Sequence, residues 1–212
     1  MFKSYYIITI LGNAILSFDG TANKIVDLRS STLLQSVQGN NPRSITIMIQ
    51  TSATTYANIL YTGSNANSKL FGICINCVGA GVLVVDIYDQ YYISSNGKTV
   101  NDGLWHTVLV TYDGTTLLIY VDGRLDNTAT NWNGGSSTAT IASTLNTIGN
   151  SANYLGQKDV NDGRWIGKLK NVIFFDYVIT NSYALANSYQ AAGSILYTSG
   201  NFVNTIYKFL SL

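Results

Sequence analysis

Apolar and polar residues alternate most clearly between residues 105 and 123. Thr107-Val108-Leu109-Val110-Thr111-Tyr112 reads as one strand and Asp113-Gly114 as a turn. Leu117-Leu118-Ile119-Tyr120-Val121 reads as the returning strand, followed by a second turn at Asp122-Gly123. Asp-Gly between two such runs is a strong hairpin signal, because both residues tolerate the backbone angles of tight turns. Shorter runs rich in Val, Ile, Thr and Tyr recur over residues 14–18, 24–28, 44–50, 58–62, 69–76, 82–88, 91–94, 144–148, 167–177 and 195–198. Their spacing, with turn residues between them, predicts an all-β sandwich or barrel. Residues 131–140 (NWNGGSSTAT) and 151–164 are predicted as long loops, and residues 182–190 as a short helix.

The N-terminal run YYIITIL follows Lys3 and loosely resembles the apolar part of a signal peptide. Its pattern is better read as a retained first strand. It is far shorter than the roughly 20 residues of a membrane span, so no span is expected. No stretch has the composition of an interdomain linker. The expected organisation is an N-terminal arm or strand at 1–13, one domain over 14–192, and C-terminal strands at 193–212. These last complete the sandwich or contact a neighbour.

Composition narrows the function. The chain has 212 residues, 12 Lys+Arg, 11 Asp+Glu and a net charge of +1. All 11 acids are Asp. Charged residues make up 11%, against about 25% in an ordinary soluble domain. A nucleic-acid partner is not expected, because no basic excess exists. Any mechanism that requires a Glu base or nucleophile is excluded. Pro occurs once, so turns fall to Gly and Asn. Five acids, Asp19, Asp102, Asp113, Asp122 and Asp162, directly precede Gly and are expected to cap turns. Among the others, Asp86 and Asp89 lie three apart on one expected strand, so they face opposite sides. No carboxylate pair of the kind glycosidases use is evident.

Cys74 and Cys77 form a single Cys-Ile-Asn-Cys. Two buried thiols are the first expectation, and a disulfide would need a turn at residues 75–76. One such pair without further ligands is a weak zinc signal. No Asn is followed two places later by Ser or Thr, so the standard glycan acceptor pattern is absent.

Several segments resemble one family. Ala14-Ile15-Leu16-Ser17-Phe18-Asp19-Gly20-Thr21 and Lys24-Ile25-Val26 are similar to the opening strands of laminin-G-like, concanavalin A-like domains. Asp102-Gly103-Leu104-Trp105-His106-Thr107-Val108 and the hairpin up to Asp122-Gly123 resemble that family's central signature. Trp165-Ile166-Gly167-Lys168-Leu169-Lys170-Asn171-Val172 resembles its late glycine-then-strand element. The resemblance spans roughly residues 14–192 and implies a jelly-roll sandwich of two antiparallel sheets. It implies structural roles for Asp102, Gly103, Trp105, His106, Asp122, Gly123 and Trp165, with both tryptophans in the core. Calcium is the ion the family often carries. Its candidate ligands here are Asp113, Asp126, Asp159 and Asp162, since loop oxygens suit calcium. The glucanases of this fold use Glu-x-Asp-x-x-Glu, which this chain lacks.

Trp132, Asn131, Tyr154, Tyr91 and Tyr92 lie in or near expected loops and turns. Aromatic faces there stack on sugars while Asn bonds hydroxyls. The alternative is that each covers a core edge. His106 is the single histidine, and no Ser sits in a nucleophile motif. Two non-enzymatic readings follow. The first is a structural subunit of a large assembly, such as a minor coat or surface protein of a virion, bound to other subunits. It rests on few charges and apolar ends. The second is a secreted or cell-surface lectin-like or adhesion module binding glycans. A glycoside hydrolase is the remote third.

Overall fold

The computed structural model describes residues 5–11, 14–21, 26–27, 41–63, 70–77, 79–87, 91–95, 98–114, 116–128, 152–156, 163–179 and 206–209. Fifteen strands run in chain order: β1 (Tyr5–Leu11), β2 (Leu16–Asp19), β3 (Val26–Asp27), β4 (Arg43–Gln50), β5 (Ala57–Gly63), β6 (Leu70–Ile75), β7 (Leu83–Ile87), β8 (Tyr91–Ser95), β9 (Trp105–Tyr112), β10 (Leu117–Val121), β11 (Arg124–Leu125), β12 (Asn127–Thr128), β13 (Ala152–Leu155), β14 (Ile166–Phe175) and β15 (Ile206–Phe209). They form two antiparallel sheets. The eight-stranded sheet runs β11-β10-β9-β4-β14-β1-β15, with β2 also on β14. The seven-stranded sheet runs β12-β8-β7-β6-β5-β13-β3.

The core follows from alternation. On β4, Ile45, Ile47 and Ile49 point inward, level with Val110, Val108 and His106 of β9. They meet Ala57, Leu60, Phe71, Ile73, Leu83 and Val85 from the other sheet. Trp165 is fully buried among them. All seven residues of β5 are buried, so the seven-stranded sheet is covered on both faces there. Arg43, at the start of β4, is buried too, with its guanidinium 5.2 Å from the rings of both Phe71 and Tyr112. Burial pulls its pKa down to about 10.

The five expected Asp-Gly turns all have glycine at positive φ, between 61° and 104°. Asp19, Asp102 and Asp113 each accept a backbone N–H two or three residues on. Two local expectations fail. Residues 152–155 are a strand rather than loop, because β13 is claimed by β5 and β3 on its two sides. Cys74 and Cys77 are joined by a disulfide, and Cys77 is exposed rather than buried. Asn76 supplies the turn, at φ 60°. Its side chain is anchored to the carbonyls of Ala53 and Thr55 and to the N–H of Gly81. The expected strands at 144–148 and 195–198, and the helix at 182–190, lie outside the described residues.

At Gly167, β14 passes close to the end of β4. Its φ is 145°, and a Cβ there would lie 2.3 Å from the Gln50 carbonyl oxygen. Gly167→Ala is expected to cost about 2 kcal/mol or more, lowering the melting temperature by roughly 4–8 °C. An unchanged thermal unfolding curve would refute this close approach.

Candidate functional site

The outer face of the eight-stranded sheet is divided in two. Residues in register across antiparallel strands share a face. One row there holds Trp105, Gln50, Lys168 and Ser17, and the next holds Thr107, Met48 and Lys170. Ser17 and Lys168 are exposed and the other five are half-buried. Further along, Leu109, Ile173 and Phe175 form a closed apolar cluster with Ile179, Tyr120 and Tyr177. The divide is a β-bulge. Lys170 is level with Met48, but Ile173 is level with Thr46, so β14 carries one extra residue between them. Asn171, at φ 52°, occupies this bulge.

The open half combines an aromatic ring and cations, with two unpartnered acceptors buried beneath it. The Lys170 ammonium lies 4.5 Å from the centroid of the Trp105 ring, a cation–π contact. Gln50 Nε2 donates to the Gly103 carbonyl, while its Oε1 has no partner. Asn171 Nδ2 faces the Met48 sulfur at 3.4 Å, and its Oδ1 also has no partner. Among the described residues, neither Lys168 nor Lys170 forms an ion pair. This half thus exposes part of an aromatic ring with amines and an amide beside it, groups of the kind that polar ligands use.

Behind this face, His106 is buried and bracketed by two carboxylates. Its Nδ1 is 2.9 Å from Asp122 Oδ2, and its Nε2 is 2.9 Å from Asp102 Oδ1. Ionised carboxylates only accept, so both contacts are complete when each ring nitrogen carries hydrogen. Lys98 pairs with the same Asp122 oxygen, and the Thr107 N–H donates to the other. The hydrogen bond from His106, then that from the Leu104 N–H, holds the Asp102 carboxyl below the usual carboxylate range. Burial pushes the Asp122 carboxyl up, but bonds from Lys98, His106 and Thr107 outweigh it and the net direction is down. Each ring nitrogen faces a carboxylate oxygen. The cluster ties the 102–104 turn and the Asp122-Gly123 turn to the start of β9.

The other expected site residues scatter. Trp132, Asn131, Asp159 and Asp162 lie outside the described residues. Tyr154 on β13 is in register with Tyr61, which is followed across the sheet by Gly72, Asp86 and Tyr92. Tyr91 is in the adjacent row with Ile87. Tyr61 and Gly72 in the first row are buried. Trp105, expected in the core, is instead on the outer face, because it is in register with Gln50 and not with Ile49. Lys168, Lys170 and Gln50 were not singled out by sequence reasoning. The available signal was the Lys-Leu-Lys alternation on an expected strand. Asp113 and Asp126 sit on separate turns, bonded to the N–H groups of Thr116 and Lys98. Among the described residues, no group of three His, Cys or acidic side chains could hold a metal.

The bracket has a definite pH signature. Both carboxyls titrate lower in the folded chain than their unfolded value of about 3.9. Their contribution is therefore complete above about pH 4 and is lost as pH falls through the lower folded values. Asp122→Asn is expected to cost about 1–2 kcal/mol at neutral pH, a gap from wild type that closes in acid. Denaturant melts at several pH values test this, and an equal gap at pH 7 and pH 3 would refute it.

Comparison with known proteins agrees with this architecture. Domain 4 of an extracellular arabinanase from Geobacillus stearothermophilus, solved with arabinotriose, superposes with a TM-score of 0.51 at 14% identity. The match covers 71% of this chain and 66% of that one. The binding domain of botulinum neurotoxin serotype C1 gives a TM-score of 0.55 at 15% identity, and that of serotype D/C gives 0.55 at 14%. Each toxin match covers 89% of this chain and 48% of the toxin domain, so the chain spans about half their length. At such identities the likeness is one of fold. No curated protein matches the chain. Residues 29–183 match the laminin-G-type model described as the concanavalin A-like lectin/glucanases superfamily. The chain thus belongs to the concanavalin A-like lectin/glucanase superfamily.

Proposed function

We propose that this chain is a non-catalytic recognition module that binds a saccharide on the open half of the eight-stranded sheet. The observation that carries the reading is Trp105, half-buried on the outer face beside Lys168, Lys170 and Gln50. The exposed part of the indole supplies apolar contact for a sugar, and the lysine ammonium groups supply the directional bonds that hydroxyls require. The arabinanase domain, solved with a trisaccharide, and the toxin binding domains make recognition a natural use of this fold. Against catalysis stand the absence of Glu and the engagement of both nitrogens of the single histidine. The Cys74–Cys77 disulfide fits a secreted or cell-surface setting, where such bonds persist.

A second reading is a subunit of a large assembly such as a virus particle. It is favoured by the 11% charge content and by β15, a strand paired with β1 at the end of its sheet among the described residues. A strand at a sheet end offers backbone groups to a neighbouring chain.

A glycan array with and without calcium is expected to give hits for the wild type. Trp105→Ala, checked for intact folding by thermal melting, is expected to lose about tenfold or more in affinity. An array with no hits, together with a stable homo-oligomer in light scattering, would replace the first reading with the second.

A further inference from the structure

We infer that the Cys74–Cys77 bond is a site of thiol–disulfide exchange, at which a thiol-bearing partner becomes joined reversibly to Cys77 while the sandwich stays folded. This stands apart from the saccharide reading. The two sulfurs belong to residues of different access. Cys74 is buried near the end of β6, whereas Cys77 is exposed on the turn that follows. Exposed disulfides are the labile ones, because exchange requires a thiolate to reach a sulfur. The chain has only these 2 cysteines, so no other internal thiol competes for either sulfur. The bond spans a sequence separation of 3. So small a ring restrains the unfolded chain less than a long-range bridge does, and folding depends on it less.

The turn is held without the sulfurs. Asn76 Nδ2 donates to the Ala53 and Thr55 carbonyls, and its Oδ1 accepts from the Gly81 N–H at 2.6 Å. The Asn76 N–H donates to the Val82 carbonyl, and the Val100 N–H to that of Gly81. Cys74 is fixed by the sheet itself, level with Asn58 of β5 and Val84 of β7. It is not a member of the main core cluster. Opening the bond therefore leaves the strand register and the anchors of the turn in place.

Thiols alone balance the exchange. The thiolate of an incoming RSH attacks Cys77 Sγ. The S–S bond breaks with its electron pair on Cys74 Sγ, which takes up the proton that the incoming thiol released. The products are a mixed disulfide, RS–S–Cys77, and a free Cys74 thiol. Attack by Cys74 on Cys77 Sγ restores the bond and returns RSH. Attack by a second RSH on the sulfur of R instead releases RSSR and leaves both cysteines as thiols.

Reduction of the full chain by dithiothreitol, followed by thiol counting, tests this. Both thiols are expected to appear at a rate that stays constant as urea is raised to about 1 M, whereas unfolding rates climb with denaturant. The reduced chain should keep its near-ultraviolet circular dichroism, with a melting temperature lowered by less than about 10 °C. Cys74→Ser leaves Cys77 without its internal partner and is expected to take one glutathione per chain from oxidised glutathione. Cys77→Ser is expected to take none while folded. If Cys74→Ser does not fold, the dithiothreitol rates on the wild type decide alone. A reduction rate that rises with urea in step with unfolding would mark a bond that opens only in the unfolded chain and overturn the inference. Two free thiols in the untreated chain, purified in air, would overturn it as well, and so would glutathione on Cys74 of folded Cys77→Ser.

Discussion

The molecule depends on the register of one strand. β14 is paired with β4 along one side and with both β1 and β2 along the other. A slip of one residue would exchange every side chain between core and surface. From Lys168 to Lys170 the phase places Leu169 inward and both lysines outward. Had strict alternation continued, Val172 and Phe174 would face out. The extra residue at the bulge reverses the phase, so both enter the core while Ile173 and Phe175 join the outer cluster. One bulge thus completes the interior and separates a sealed apolar surface from an open polar one.

The scarce charges are used deep in the fold as well as on it. Arg43 and His106 lie on the inward face at opposite ends of the β4–β9 ladder. Each is held differently. Two aromatic rings flank the guanidinium, whose delocalised charge is weakly hydrated and tolerates such company. The imidazole lies between two partly exposed carboxylates, and at Asp122 the bonds from Lys98, His106 and Thr107 outweigh the effect of burial. Burying the guanidinium without such rings would cost several kcal/mol.

What was legible in the sequence was local. The β9–β10 hairpin and the Asp-Gly turns follow from backbone preferences of a few residues, and they emerge where expected. The family signature at residues 102–108 located the His106 cluster without disclosing its second carboxylate, because Asp122 arrives from the far side of the hairpin. Pairing between distant strands was not legible. Tyr154 reads as a loop residue until β5 and β3 claim its backbone. Trp105 reads as core because it opens a strand in the family pattern, yet its register with Gln50 turns it outward. The disulfide depended on a single left-handed Asn76, a conformation that Asn tolerates but does not announce.

The pairing of β1 with β14 sets a timetable for synthesis. Ile7 is level with Phe175, so the N-terminal strand has no partner until nearly the whole sandwich has been made. At about 5–20 residues per second, that interval is on the order of ten to thirty seconds. For that time an apolar segment with open backbone edges is exposed beside the ribosome, a state prone to mispairing. The final sheet can close only after its first strand has waited for its neighbour.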